Sequence, residues 1–337
     1  MSVVSFVTAA FRVSLPCTVL CGHACIGAAG YFLMTGIAEA QTYPVAMIRV
    51  IVPNPPAGAG DLVGRLVANG LSKTLGQQVI VDNRGGGNGA IGLLAAINAQ
   101  ADGYTVIVAN GSNMAIDPGY EKIGYQPRDL VAVAPLITIP YVVVANPAFP
   151  PNNIRELIAA AKREPGKLNF ASGGTAAHLA TELVKALGKV DIVHIPYKGA
   201  APAFLDVVAG RVPFMTGDIN SALPFLQGGR LKALAVTGAE RVALIPEVPT
   251  VAESGLPGYE AGNWFGIFAP AKTPADIVAM LFKAAEGFVQ EADFKARIAP
   301  LGGRLLVMSR LEFERYVAAE TVKRTELLKS NNIVLGN

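Results

Sequence analysis

Apolar and polar positions follow two rhythms along this chain, and one succession of them occurs twice. Unbroken apolar runs rich in Val and Ile read as strands buried on both faces. Stretches with an apolar residue at every third or fourth position read as helices. Across 46–111 these patterns predict a strand over 48–53, then a turn through Pro55, Pro56, Ala57, Gly58, Ala59, Gly60 and Asp61. A helix comes next, ending at Leu75 and Gly76. A strand over 79–82, a glycine-rich loop over 83–89, a helix and a strand over 105–109 complete that unit. Across 166–238 the succession repeats, with strands over 168–171, 192–195 and 212–216. Its turn is Ser172, Gly173, Gly174 and Thr175, and its first helix runs to Leu187 and Gly188. In both copies glycine-loosened turns lead from strand ends straight into helix N-termini. That edge of an open α/β sheet is where ligands bind, and free helix N–H groups and dipoles favour anions. The pattern predicts two lobes facing each other across a cleft for a small anion: a binding protein, not an enzyme.

The remaining segments fit between and after the copies. Residues 130–149 carry no charge, but Pro135, Pro140 and Pro147 interrupt them, and Val142, Val143 and Val144 are β-branched. This predicts two core strands at a crossing between lobes rather than a membrane span. Residues 259–270, with Trp264, Phe265, Ile267 and Phe268, predict a strand returning to the first lobe. Helices over 276–288 and 310–329 come after it. Lobe one is expected to comprise 41–139 and 256–337, and lobe two 140–255. Two crossing segments between them would form a hinge that closes over ligand.

Charge and cysteine content narrow the setting. Arg12, the apolar stretch 13–37 and Ala38-Glu39-Ala40 have the form of an export signal over 1–40, cleaved near Ala40, which predicts a periplasmic protein. Cys17, Cys21 and Cys25, all three cysteines of the chain, lie in that segment. The chain beyond Ala40 therefore has no disulfide, thiol nucleophile or cysteine metal site. The net charge of +3 is too small for nucleic-acid binding through its field. A monomer without a membrane span after cleavage is expected.

Several residues have the chemistry for other roles. Gly87, Gly89 and Gly92 match the dinucleotide fingerprint, but the next strand ends at Asn110, where an acid should grip the ribose. No cofactor is expected, and no metal, because His178 and His194 stand without clustered ligand residues. Ser172 and His178, with Asp206 or Asp218, would make a hydrolase triad. The turn lacks the G-x-S-x-G elbow, however, and a serine there reads as an N-cap or anion donor. His178 fits a ligand donor or a brace for its loop, and His194 a structural place in its strand. Asp61 fits an N-cap. Arg84 and Lys198, on the second loop of each copy, would either attract an anion or brace the loops.

Longer motifs join these turns together. They include Ile48-Arg49-Val50-Ile51-Val52-Pro53, Val81-Asp82-Asn83-Arg84, Ala101-Asp102-Gly103-Tyr104-Thr105, Ser172-Gly173-Gly174-Thr175 with His178, Pro196-Tyr197-Lys198-Gly199 and Trp264-Phe265-Gly266. In that order and spacing they resemble an extracytoplasmic solute receptor of the tripartite tricarboxylate transporter system, the Bug-type receptors. The resemblance implies a two-lobed periplasmic-binding-protein fold, type II-like. It implies capture of a small carboxylate (di- or tricarboxylate, amino acid or aromatic acid) for membrane transporter subunits. Carried onto this chain, it implies a first turn with Asn54, Ala57, Gly58 and Asp61, opposed by Ser172, Gly173, Gly174, Thr175 and His178. Asn110, Gly111, Ser112, Tyr197 and Asp218 would line the walls. Asn54 stands where the family usually has an aromatic residue, which predicts a more polar ligand than an aromatic monoacid. A sensor that presents the same clam-shell to a membrane signalling partner is the alternative, and a secreted hydrolase using Ser172 and His178 a third.

Overall fold

The computed structural model describes residues 43–330 except 57, 117–123, 173 and 198; the expected export signal and its cleavage near Ala40 lie outside the described residues. Within them, the Val- and Ile-rich runs become strands. β1 (Ile48–Val52) lies between β2 (Val79–Asn83) and β3 (Thr105–Asn110), all parallel. The second copy repeats the order: β5 (Asn169–Ser172) lies between β6 (Val193–Ile195) and β7 (Phe214–Asp218), again parallel. Helices α1 (Ala59–Leu75) and α2 (Ala90–Ile97) make the crossovers of the first triplet. Those of the second are α4 (Thr175–Gly188) and α5 (Ala200–Val208). Parallel neighbours need such crossovers because the chain must return to the same end of the sheet. Side chains alternate between two covered faces: Ile48, Val50 and Val52 pack with Val63 and Val67 of α1, Ile51 with Leu93 of α2. Burial on both sides explains why these strands are unbroken apolar runs.

Where the sequence predicts two core strands, the structure has one. β4 runs from Leu130 to Ala145. It lies antiparallel to β9 (Gly262–Pro270) from Leu130 to Pro140, then antiparallel to β7 from Tyr141 to Ala145. Two register shifts flank Pro135 and carry the strand past a residue with no N–H for the ladder. β8 (Lys232–Val236) pairs with the far half of β4, and β10 (Arg304–Leu305) with the near half. Each parallel triplet thus takes its next strand from chain that has crossed between lobes: β9 borders β3, and β4 borders β7. At the switch, Tyr141 N–H donates to Thr237 Oγ1 (2.8 Å) and Thr237 N–H to the Tyr141 carbonyl (2.9 Å). Ala261 N–H donates to the Thr237 carbonyl (2.8 Å). The two crossings are hydrogen-bonded side by side.

The second lobe is covered by α3 (Ile154–Arg163) and α6 (Ile219–Gln227) as well as its crossover helices. In the first, α7 (Ala275–Val289) and α8 (Ala292–Ile298) share one core with α1, while α9 (Arg310–Ser330) closes the other face. No helix among the described residues is long and apolar enough to cross a membrane. Phe313 of α9 stands edge-on to Trp264 and fills the space over Gly266, where an added Cβ would lie 2.3 Å from the ring and 3.1 Å from the Ala134 carbonyl. Gly266→Ala should therefore overpack this seam and cost roughly 1–3 kcal/mol in urea unfolding. An unchanged midpoint would contradict the tight packing of α9 on β9.

Candidate functional site

Both triplets point the C-terminal ends of their strands at one cavity of about 740 Å³. Gly58, Ala59 and Gly60 bring the first turn of α1 to it, and Gly174, Thr175, Ala176 and Ala177 that of α4. The N-caps are Gly58 and Gly174, which have no side chain with which to cap their helices. The first intrahelical donors are Leu62, to the Gly58 carbonyl (3.1 Å), and His178, to the Gly174 carbonyl (2.8 Å). The N–H groups of Ala59, Gly60, Thr175, Ala176 and Ala177 precede them and are left to the cavity. Gly174 takes a φ of 150°, which L side chains rarely adopt, and so β5 turns into α4 with nothing laid over the helix end.

The third strand of each triplet ends in the cavity with opposite chemistry. Asn110 closes β3 opposite Phe265 of β9, and Asp218 closes β7 opposite Tyr141 of β4; all four line the cavity. Asn110 Oδ1 accepts the N–H groups of Ser112 (3.0 Å) and Asn113 (3.2 Å), fixing the π-helical turn Ser112–Ile116. Asn263 Oδ1 accepts the Gly111 N–H (3.1 Å). With their oxygens engaged, these two amides keep NH2 donors for the cavity. Asp218 makes no side-chain cap to α6. Burial pushes its carboxyl above the ordinary range, against the pull of its own backbone N–H. Among the described lining residues none is Lys, Arg or His. Attraction for an anion here comes from peptide N–H groups, helix dipoles and amides.

The glycines that match a dinucleotide fingerprint shape the wall. A Cβ at Gly89 would lie 2.6 Å from Asn113 Nδ2, and one at Gly92 only 2.8 Å from Pro53 Cα and the Arg84 carbonyl. The loop packs against the end of β1 at backbone distance, and Asn88 takes a left-handed φ of 52° beside them.

Of the residues expected from the sequence, Asn54, Gly58, Asn110, Ser112, Gly174, Thr175 and Asp218 line the cavity, while Ala57 and Gly173 lie outside the described residues. Gly111 holds the wall, its N–H on Asn263 and its Cα facing the Trp264 indole. Four others are not part of the lining. Asp61 is not the N-cap but the third residue of α1, where its oxygens accept Asn83 Nδ2 (2.9 Å) and Arg65 Nε (3.0 Å). Ser172 is buried with its Oγ on His194 Nε2 (3.0 Å), because strand alternation puts its side chain on the sheet face where His194 lies. His178, one turn into α4, meets Glu182 Oε1 (3.3 Å). Tyr197 donates its hydroxyl to Asp206 (2.7 Å), which also receives Arg211 Nε (3.0 Å). The hydrolase grouping is therefore not assembled: Ser172 and His178 have different partners. Arg84 pairs with Asp82 (2.8 Å), and Lys198 lies outside the described residues. Sequence reasoning missed Tyr141, Phe265 and Asn263 on the crossing strands. An asparagine opening the apolar run 262–270 was the available sign.

Behind α4 the two imidazoles stack at 3.6 Å with an interplanar angle of 19°. Burial, and then the neighbouring His178, hold His194 down at about 4. Burial opposes ionisation of Glu182, yet bonds from His178 and Lys185 keep its carboxyl below the usual range. A depressed histidine favours the fold fully above its ordinary value of 6.5, and that contribution is lost as pH falls toward about 4. Stability should decline through this window, and His194→Gln, which keeps a polar partner for Ser172, should flatten the decline. Parallel pH–stability curves for the two proteins would contradict a half-buried His194 held neutral.

Comparison with known proteins places this geometry among relatives. A family model described as "Tripartite tricarboxylate transporter family receptor" matches residues 63–333. "Protein BugT" of Bordetella pertussis (strain Tohama I) is 35% identical over 303 residues, 86% of this chain and 92% of its own length. The structure of R. palustris Rpa4515 with adipate has a TM-score of 0.76 at 32% identity, covering 86% of this chain and 99% of that one. MatC (Rpa3494) from Rhodopseudomonas palustris, with bound malate, has a TM-score of 0.72 at 31% identity over 85% and 100%.

Proposed function

This chain belongs to the tripartite tricarboxylate transporter receptor family, and we propose that it captures a small carboxylate outside the cytoplasm for handover to membrane transporter subunits. The observation that carries the proposal is the convergence of two uncapped helix N-termini, those of α1 and α4, on one cavity whose described lining holds no basic side chain. A carboxylate buried there exchanges water for peptide N–H groups and for the amides of Asn110 and Asn263. Micromolar affinity needs about 8 kcal/mol. Several charge-assisted hydrogen bonds, at about 1.5–3 kcal/mol each before the cost of closure, are enough. Adipate on Rpa4515 and malate on MatC support the same ligand class here. Ligand contact is assigned to Asn54, Gly58, Asn110, Ser112, Gly174, Thr175 and Asp218. Binding is favoured over catalysis because Ser172 and His178, the candidates for covalent chemistry, are not part of the lining.

The lobes are taken to divide between residues 139 and 140, beside the Pro140–Tyr141 switch, and near residue 255, so that 41–139 with 256–337 swings against 140–255 about the paired crossings. A ligand bound only by the closed form shifts the lobes toward closure and presents a new surface to the transporter. Removal of the export segment near Ala40 would release the receptor into the periplasm.

Ala59→Pro tests the backbone donors directly. Proline at the first helical position costs the helix nothing it was using, and Gly58 already has the extended conformation proline requires of its predecessor. In protein stripped of ligand by unfolding and refolding, small carboxylates should raise the melting temperature in a saturable way. Ala59→Pro should weaken that binding roughly ten- to hundredfold while leaving the unliganded melting temperature in place. Equal affinity in the variant would sink the assignment of α1 as a carboxylate site.

A further inference from the structure

We infer that the ligand carries a hydrogen-bond donor, a hydroxyl or an ammonium, on a carbon beside one of its carboxylates, and that Asp218 receives it. This rests on the carboxylate reading and narrows it. The first turns of α1 and α4 and the NH2 groups of Asn110 and Asn263 offer donors, while the hydroxyls of Ser112, Tyr141 and Thr175 and the amides of Asn54, Asn88 and Asn113 can donate or accept. Asp218 is the exception, the one carboxylate among the described lining residues and, when ionised, an acceptor only.

The internal repeat makes the exception informative. Asn110 and Asp218 hold equivalent positions, each closing the third strand of its triplet and leading into a helical turn. Asn110 spends its oxygen on the N–H groups of that turn. Asp218 has the same opportunity at the N-cap of α6 and does not take it. No ion pair or side-chain hydrogen bond from another described residue engages it, whereas Asp61 and Asp206, the other aspartates near the cleft, are held by arginines. Tyr141 is its cross-strand neighbour.

A carboxylate left in that state repels an anionic ligand unless the ligand also brings a donor to it. Strand β7 lies beside β5, with Thr216 level with Ser172. Adjacent strands are about 4.8 Å apart, so Asp218 stands close to the chain entering α4. An acid seated on the first turn of α4 reaches Asp218 with a substituent on the adjoining carbon, not with its far end. Burial, which makes this carboxyl reluctant to ionise, raises the gain from such a donor.

The test is titration calorimetry on the refolded, ligand-free protein with two matched sets: succinate, malate and aspartate, and glutarate, 2-hydroxyglutarate and glutamate. In at least one set the hydroxy or amino acid should bind roughly tenfold or more tightly than its unsubstituted parent. Asp218→Ala should erase that advantage, bringing the ratio of the substituted acid's affinity to its parent's down to about one. Asp218→Asn separates the donors: its amide oxygen still accepts a hydroxyl, so a hydroxy acid keeps much of its advantage and an amino acid does not. Parents binding as tightly as their substituted partners, or an advantage that survives in a folded Asp218→Ala, would overturn the inference and leave the carboxylate reading standing. If no acid of either set binds at millimolar concentration, both fall together.

Discussion

Between Pro140 and Tyr141, β4 leaves β9 and joins β7 without leaving the strand conformation. The change of partner therefore runs through extended backbone whose hydrogen bonds are committed on both sides of the switch, with the second crossing stitched to it through Thr237. That register decides which residues meet. It sets Tyr141 beside Asp218 and Phe265 beside Asn110, so each parallel triplet ends its third strand at the crossing. The parallel order does the rest, since strands that run the same way end at the same edge and feed their helices from there. The cavity is the space those edges share.

An anion in such a space has to be stabilised without bulk water. A lysine or arginine would do so at long range but would also bring its own desolvation cost and conformational entropy. Peptide N–H groups at a helix start are fixed in place by the helix behind them and carry a partial positive charge. Here the glycine caps at Gly58 and Gly174 keep those donors uncovered, and the engaged oxygens of Asn110 and Asn263 orient two further donors. The site is preorganised by bonds made outside it, which limits the ordering cost that binding has to overcome.

The triplets were legible in the sequence because burial on both faces leaves no polar position in a strand, and the glycine turns because only glycine readily adopts the φ found at Gly174. β4 was not. Prolines at 135 and 140 signal breaks, yet the register shifts around Pro135 absorb one, and the other falls where pairing changes partner. Site residues split along a similar line. Those at the turn itself, such as Asn54, Gly58 and Thr175, were placed by proximity to a strand end. Asp61, Ser172 and His178 lie within a few residues of the same turns but face away, because helix and strand periodicity, not distance along the chain, aims a side chain. Tyr141 and Asn263 reach the cavity from crossings far away in sequence, which only the long-range register reveals.

The most direct measurement is a crystal structure of the protein with its acid bound. Carboxylate oxygens should lie about 2.7–3.1 Å from first-turn N–H groups of both α1 and α4, with the amides of Asn110 or Asn263 completing the shell. A carboxylate held instead by a lysine or arginine, or by one lobe alone with the other helix start empty, would contradict capture by opposed backbone donors.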